Sequence, residues 1–403
     1  MSSLLPARVR ALFTDDEAAR LVALRRDLHA HPELSWQETR TQDVLERELR
    51  AAGIADVRRI ATTGLVARIP GRVPSAPVIA LRGDIDALPI QEATDLPCAS
   101  TNDGVMHACG HDVHAAWAVG AALLLHRQPA DGDVLVILQP AEEVGQGAAA
   151  VLASGALDGV RAIFGGHVDR RFAVGQVVAQ PGPLAASTDT FTITLTGAGA
   201  HGARPHESAD PVVGLAALVT AFQTIISRRL DPAQPGVVTV GMVSAGSAPN
   251  IIPEAATLRG TVRSTTAAAR DLIVGEVDRL AFSVANAYRL QAIVEWGDRT
   301  PPVVNSPDGA AWAVEAATRV LGADAVVPFG TTNMGGEDFA FYLEKIPGCF
   351  MRIGAREPGG EFTAAHSPRF HAAEEALFVG AAVLAECARV ASQGASQGAR
   401  HGG

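Results

Sequence analysis

From Glu17 to Leu28 and from Thr39 to Ala52, apolar residues recur every three or four positions, the spacing of a helix with one buried face. Short apolar runs follow. Val78 to Leu81 is one, Val134 to Leu138 before Pro140 is a second, and "VRAIFGGHVD" is a third, with two glycines ending its apolar part. Runs of this length bounded by turn residues read as buried strands. Ala115 to His126 is expected to be a helix. Strands alternating with helices predict a mainly parallel sheet covered on both faces.

The pattern changes near Ala186. "DTFTITLTGAGAH" alternates apolar and polar residues with a period of two, as a half-exposed strand does. Pro211 to Leu230 has helical spacing, "GVVTVGMVSAG" and "ATLRGTVRS" are strand-like, and Ala267 to Tyr288 is again helical. This reads as a βαββα insert with its own antiparallel sheet. After the proline-rich link "RTPPVVNSP" the helix and strand alternation resumes to about Ala391. The expected fold class is α/β. A larger discontinuous domain (1–185 and 299–391) is interrupted by a smaller α+β domain (186–298), and a low-complexity tail (392–403) is expected to be disordered.

Composition narrows the partners. The 403 residues are 48% hydrophobic and 19% charged, which suits a core-forming chain of two domains. A net charge of -10 argues against nucleic acid or an anionic membrane as the main partner, and leaves room for a local basic device that holds a small anion. The opening residues lack a long apolar run after a basic head, so no signal peptide is expected. Ala115 to Leu125 falls short of the ~20 apolar residues of a membrane span. Cys98, Cys109, Cys349 and Cys387 form no CxxC pair, which favours a reduced, cytoplasmic setting.

The chemistry gathers around "MHACGHDVH", Met106 to His114. A thiolate at Cys109 and an imidazole at His111 suit borderline metals such as zinc. They also suit a buried small side chain beside a polar helix start. Other donors sit near predicted strand ends, where open α/β sheets bind ligands. These are Asp84 and Asp86 in "RGDID", the adjacent Glu142 and Glu143 after Pro140, and His167 after "AIFGG". His366 lies late in the chain, in "AAHSPRF". Each alone reads as structural; together they point to metal-ligand chemistry. Cys109 as a nucleophile with His111 as its base is the competing reading. It leaves the glutamate pair, His167 and His366 without a task.

The blocks "RRDLHAHPELSWQETRT", "LRGDIDALPI", "MHACGHDVHAA", "QPAEE", "FGGHVD", "AHGARPH", "APNIIPE", "MGGEDFAFY" and "AHSPRF" occur in order from about Arg25 to Leu377. They resemble the M20 metallopeptidase family, and within it the amidohydrolase branch of aminoacylase-like, hippurate and indole-acetyl-amino-acid hydrolases. The resemblance implies two divalent cations, zinc or manganese, held by Cys109, His111, Glu143, His167 and His366. Glu142 matches the general base, and Asp86 the acid that orients a metal-binding group. Asp112 and His114 are read as supporting groups, and His107 as structural.

The same resemblance makes the insert a lid and dimerisation domain. His201 would help stabilise the transition-state oxyanion. Asn250 and Arg263 would bind the substrate carboxylate, with His206 a further substrate-binding candidate. The resemblance places Glu337 and Asp338 in a loop in or beside the substrate pocket. The implied reaction splits an N-acyl or N-aroyl amino acid into a carboxylic acid and a free amino acid. Dipeptidase, aminopeptidase or deaminase activity on the same site is the alternative. A binding protein that has lost turnover is a further one, and the presence of Glu142 speaks against it. Two departures from the family pattern, Ala365 before His366 and the Arg170-Arg171 pair, bear on the shape or charge of the pocket.

Overall fold

A computed structural model of the chain describes residues 5–330 and 334–393. Backbone packing divides them into two compact units: 5–182 with 304–330 and 341–393, and 183–303 with 334–340. The short segment 334–340 joins the insert, although it follows the insert's last strand by more than thirty residues of chain. No period or composition shift in the sequence marks that excursion.

The larger unit is built on a seven-stranded sheet. Its order is Val57–Ile60, Gly64–Ile69, Val134–Gln139, Val78–Asp84, Val160–Ala173, Gly348–Arg356, Val177–Val178. The four strands from Val134–Gln139 to Gly348–Arg356 run parallel, and the outer three pair antiparallel. Val134–Gln139 is buried at every position, as a strand covered on both faces must be. The helices His111–Arg127 and Glu375–Gln393 are buried along most of their length and share one core with the sheet. A Cβ added to Gly380 would lie 2.2 Å from the Trp117 ring, so glycine lets these two helices meet.

Three elements differ from the sequence expectation. The third strand does not stop at Gly165 and Gly166. It runs from Val160 to Ala173, because Phe350 and Met351 of the parallel neighbour pair with those glycines and carry the ladder through them. His167 is therefore in mid-strand. The hairpin Val57–Ile60 with Gly64–Ile69 gives no turn signal in the sequence because its turn uses Ala61 and Thr62 at positive φ (45° and 64°) in place of glycine or asparagine. The insert gains a last strand, Gln291–Thr300, in which half-buried Ala292, Val294 and Trp296 alternate with exposed residues.

The insert's own sheet is fully antiparallel, ordered Gly236–Ala245, Ala255–Ser264, Thr188–Thr196, Gln291–Thr300. Thr188–Thr196 alternates in burial along its length. Its apolar face packs on Leu218 and Phe222 of helix Pro211–Thr224 and on Ile273 and Val277 of helix Ala267–Ala287, forming a second core. The stretch Pro211–Arg229 has a mean hydropathy of 1.4 over its most apolar part, enough by length and composition to cross a membrane. It exceeds the Ala115 to Leu125 run, and its inward residues belong to that core. The last helix covers Ser392 and Gln393; the remainder of the expected tail lies outside the described residues.

Candidate active site

Cys109 and His111 flank Gly110, which starts the helix His111–Arg127 with φ 91°. A side chain there would sit 2.5 Å from Val168 and 3.4 Å from the Phe370 ring, so both the left-handed turn and the space require glycine. The turn aims the Cys109 Sγ at His167, 3.1 Å from its Nε2. It also seats the His111 ring against Asp86. His111 Nδ1 donates to the Asp86 carbonyl (2.9 Å) and approaches its carboxylate Oδ1 (3.2 Å). His167 Nδ1 donates to the Val168 carbonyl at 2.7 Å. Since these partners only accept, the protons sit on Nδ1 and the Nε2 atoms face the cluster.

The glutamate pair is delivered by a turn after Val134–Gln139. Ala141 takes φ 54° there, and its N–H donates to the buried Glu38 carboxylate at 2.9 Å. Burial pushes the Glu38 carboxyl up, opposed by its bond from Thr63. The Glu143 N–H donates to Asp86 Oδ2 (3.0 Å), which also accepts from the Ser35 hydroxyl (2.7 Å). Asp86 thus ties His111, Glu143 and Ser35 together. His111 Nε2 lies 3.8 Å from Glu142 Oε2 and 3.8 Å from Glu143 Oε1. His366 reaches Glu143 Oε2 at 3.4 Å from a backbone with φ 66°, its N–H bonded to the Ala108 carbonyl.

Ligand-type atoms fall into overlapping sets, each within 4.8 Å: Cys109, His111 and His167; Cys109, Glu143 and His366; His111, Glu142 and Glu143; Asp84, His111 and His114. In the last set both nitrogens of His114 are engaged. Nδ1 donates to Asp84 at 2.6 Å and Nε2 accepts the Val168 N–H at 2.9 Å. Asp84 is also paired with Arg82. This buried chain holds the backbone beside His167 and leaves no bare nitrogen on His114 for an ion. The five residues Cys109, His111, Glu143, His167 and His366 are all brought together.

Their chemistry fits divalent cations. His111 Nε2 and Glu143 Oε1 are buried without a hydrogen-bond partner, a costly state that an ion between them would relieve. Burial pushes the Glu143 carboxyl up to about 7; His111 opposes the rise and Asp86 adds to it. Burial also opposes a charge on His111, yet Asp84 and Asp86 raise its pKa well above the ordinary value. The carboxylates therefore favour positive charge at this spot, supplied by a proton or by a cation in its place. The rival nucleophile reading gains nothing here. His111, the base of that reading, is held in its charged form by Asp84 and Asp86, but burial and Glu143 raise the Cys109 thiol well above its ordinary value, so the thiolate it needs is disfavoured.

Beside the cluster lies a second buried polar network. Asp112 pairs with Arg25 (2.7 Å) and His29 (2.9 Å), and His29 also meets Glu92 (3.3 Å). His107 is buried with both nitrogens unpartnered, and burial drives its pKa down to about 4. Ser35, Glu38, Arg25 and His29 carry no site signal of their own in the sequence, although all four lie in the block "RRDLHAHPELSWQETRT" that carries the resemblance.

The insert's polar residues are held differently. His201 and Asn250 come together: His201 pairs with Ile251 across a two-residue ladder, and Gly202 N–H donates to the Asn250 carbonyl at 2.8 Å. Both side chains are exposed, and His201 Nδ1 accepts the Ala203 N–H. His206 stands exposed on the turn Pro205–Glu207. Arg263, on Ala255–Ser264, donates to Thr188 Oγ1 (3.1 Å) and to the Met334 carbonyl (2.9 Å). Glu337 and Asp338 are buried within the same unit.

A mainly parallel sheet with thiol, imidazole and paired carboxylates near the carboxyl ends of its strands, interrupted by a small α+β domain, has the architecture of a metal-binding hydrolase. The sequence matches peptidase family M20/M25/M40 over residues 80–390, and the chain belongs to that family. It is 44% identical over 373 residues to N-acetylcysteine deacetylase of Bacillus subtilis (strain 168), covering 92% of this chain and 96% of that one. It is 36% identical over 374 residues to the IAA-amino acid hydrolase ILR1-like 2 of Arabidopsis thaliana, covering 91% and 84%. The crystal structure of the Bacillus subtilis YXEP protein, described as a dinuclear metal binding peptidase from the M20 family, superposes with a TM-score of 0.83. That match has 38% identity and covers 94% of this chain and 99% of that one. The protein is a hydrolytic enzyme that acts on amide bonds.

Proposed function

We propose that the enzyme hydrolyses the amide bond of N-acyl or N-aroyl amino acids, releasing a carboxylic acid and a free amino acid. The observation that carries this reading is the convergence of Cys109, His111, Glu143, His167 and His366 around two buried unpartnered atoms. The relatives named for N-acetylcysteine and IAA-amino acids support the substrate class.

Two divalent cations, zinc or manganese, held by these five residues would acidify water and polarise an amide carbonyl. We assign Glu142, adjacent to Glu143, to proton work. It takes the proton of the attacking water and passes it to the leaving amine. Asp86 holds the His111 ring and the Glu143 backbone in place. From the insert we assign His201 to oxyanion stabilisation, and Asn250 and Arg263, with His206, to the substrate carboxylate. A guanidinium suits that carboxylate because it offers two parallel hydrogen bonds.

We also assign the insert to homodimer formation. Gly236–Ala245 is an edge strand whose second half is exposed on both faces, with Met242 and Val243 each 61% exposed, an arrangement that invites pairing.

The test is a panel of N-acetylcysteine, hippurate, indole-acetyl-amino acids and plain dipeptides offered to cation-loaded enzyme, with free amine as the readout. Release from the acyl amino acids is expected. Cleavage of the dipeptides alone would replace the proposal with a peptidase.

A further inference from the structure

The Arg170-Arg171 pair was a departure from the family pattern without an assigned task. Arg171 is partly exposed, pairs with Asp169 at 2.6 Å and lies 4.6 Å over the Phe329 ring. Arg170 is different. Its side chain is 1% exposed and points into the loop 357–371, which bears no regular structure and carries His366. Nη1 donates to Glu357 Oε2 (2.8 Å), the His371 carbonyl (3.1 Å) and the Ala355 carbonyl (3.4 Å). Nη2 donates to the Glu361 carbonyl (2.6 Å) and Glu357 Oε1 (3.4 Å). His371 Nε2 closes the group on Glu357 Oε1 at 3.0 Å. One guanidinium thus joins both ends of the loop and Glu361 near its start.

We propose that Arg170 is a positioning residue for the cation site made by Cys109, Glu143 and His366, acting by clamping the loop that presents His366. The inference rests on the reading of His366 as a ligand. His366 needs such restraint more than its partners do. Its side chain is 54% exposed and its backbone takes the left-handed φ of 66°, whereas His111 and His167 are fixed by a helix and a strand. Beyond the clamp, the loop is fastened near His366 by the Ala108 carbonyl, by Ala93 N–H to the Pro368 carbonyl and by buried Phe370. Those contacts set one side of the loop; Arg170 gathers Glu357, Glu361 and His371. The set of Cys109, His111 and His167 contains no residue of this loop. Losing the clamp should therefore weaken one cation and spare the other. Groups that orient a ligand change metal affinity by about 10–100-fold.

The experiment titrates chelator-stripped full-length protein with zinc under equilibrium dialysis and counts ions per chain. The cobalt absorption spectrum reports the ligand environment. Wild type should bind two ions. R170M should bind one with wild-type affinity and the other about 10–100-fold more weakly. R170K should fall between, since an ammonium can pair with Glu357 but cannot bridge three carbonyls as well. H366A should weaken the same ion as R170M. If R170M binds both ions like wild type while H366A loses one, the clamp is wrong and the ligand assignment stands. Equal weakening of both ions in R170M would mark a general structural role and overturn the clamp. Wild-type binding by H366A would overturn the assignment and the clamp with it. Should R170M fail to fold, E357Q alters only the 35%-exposed partner. It should weaken the same ion about tenfold, and unchanged binding by E357Q would overturn the proposal.

Discussion

In the larger unit, Cys109, His111 and His167 are buried, and Asp86, Asp84 and His114 fix their surroundings through hydrogen bonds that are themselves buried. In the insert, His201, His206 and Asn250 stand in solvent; among the described residues their contacts are local, from the Ala203 and Gly202 backbone and, for His206, from Glu207 at 3.8 Å. The contrast separates two kinds of functional residue. The first kind is built into the fold, and leaving His111 Nε2 and Glu143 Oε1 without partners carries a desolvation cost. The second kind costs the insert little to keep or to lose, which suits the substrate-binding role proposed for it. Substitutions in the first set should alter ion binding and turnover; those in the second should alter substrate parameters and leave ion binding alone.

The largest effect should follow removal of the cations. Dialysis against a strong chelator should bring amide hydrolysis to background, and added zinc or manganese should restore it; a thiol nucleophile would keep working. Next, Glu142→Gln should lower kcat by 10²–10⁴-fold, the range expected of a general base, with the ion count unchanged. A variant that turns over at half the normal rate would remove Glu142 from the proton transfer. On the insert's side, Arg263→Ala should raise KM for acyl amino acids by about tenfold or more, the size of a lost charge-assisted hydrogen bond, while the zinc titration stays as in wild type. An unchanged KM would end the carboxylate assignment.

The smallest effect concerns stability. Burial opposes a charge on His29, but Asp112 and Glu92 outweigh it and raise its pKa to about 9. The stabilisation from charged His29 is complete below its ordinary value of about 6.5 and is lost as pH rises through about 9. The melting temperature of wild type should fall across that window more steeply than that of His29→Gln. Parallel curves would show that the pair contributes nothing measurable.

Much of this was legible in the sequence. The alternation of helices and strands carries local signals that survive folding. What was missed depended on neighbours distant in the chain. Gly165 and Gly166 read as a stop because glycine weakens an isolated strand, yet the ladder to Phe350 and Met351 overrides that preference. The turn at Ala61 and Thr62 used residues that give no turn signal. Glu38 and Ser35 look like ordinary surface residues until the fold brings Ala141 and Asp86 against them. Arg170 was visible only as an oddity, since its partners lie about 190 residues on.

The central claim is that five side chains from separate stretches hold two ions. It is tested most directly by anomalous diffraction from zinc-loaded crystals. The account predicts two peaks about 3.5–4 Å apart, the usual spacing of a paired centre, bounded by Cys109, His111, Glu143, His167 and His366. Crystals grown with excess zinc that show no peak among these residues would contradict it.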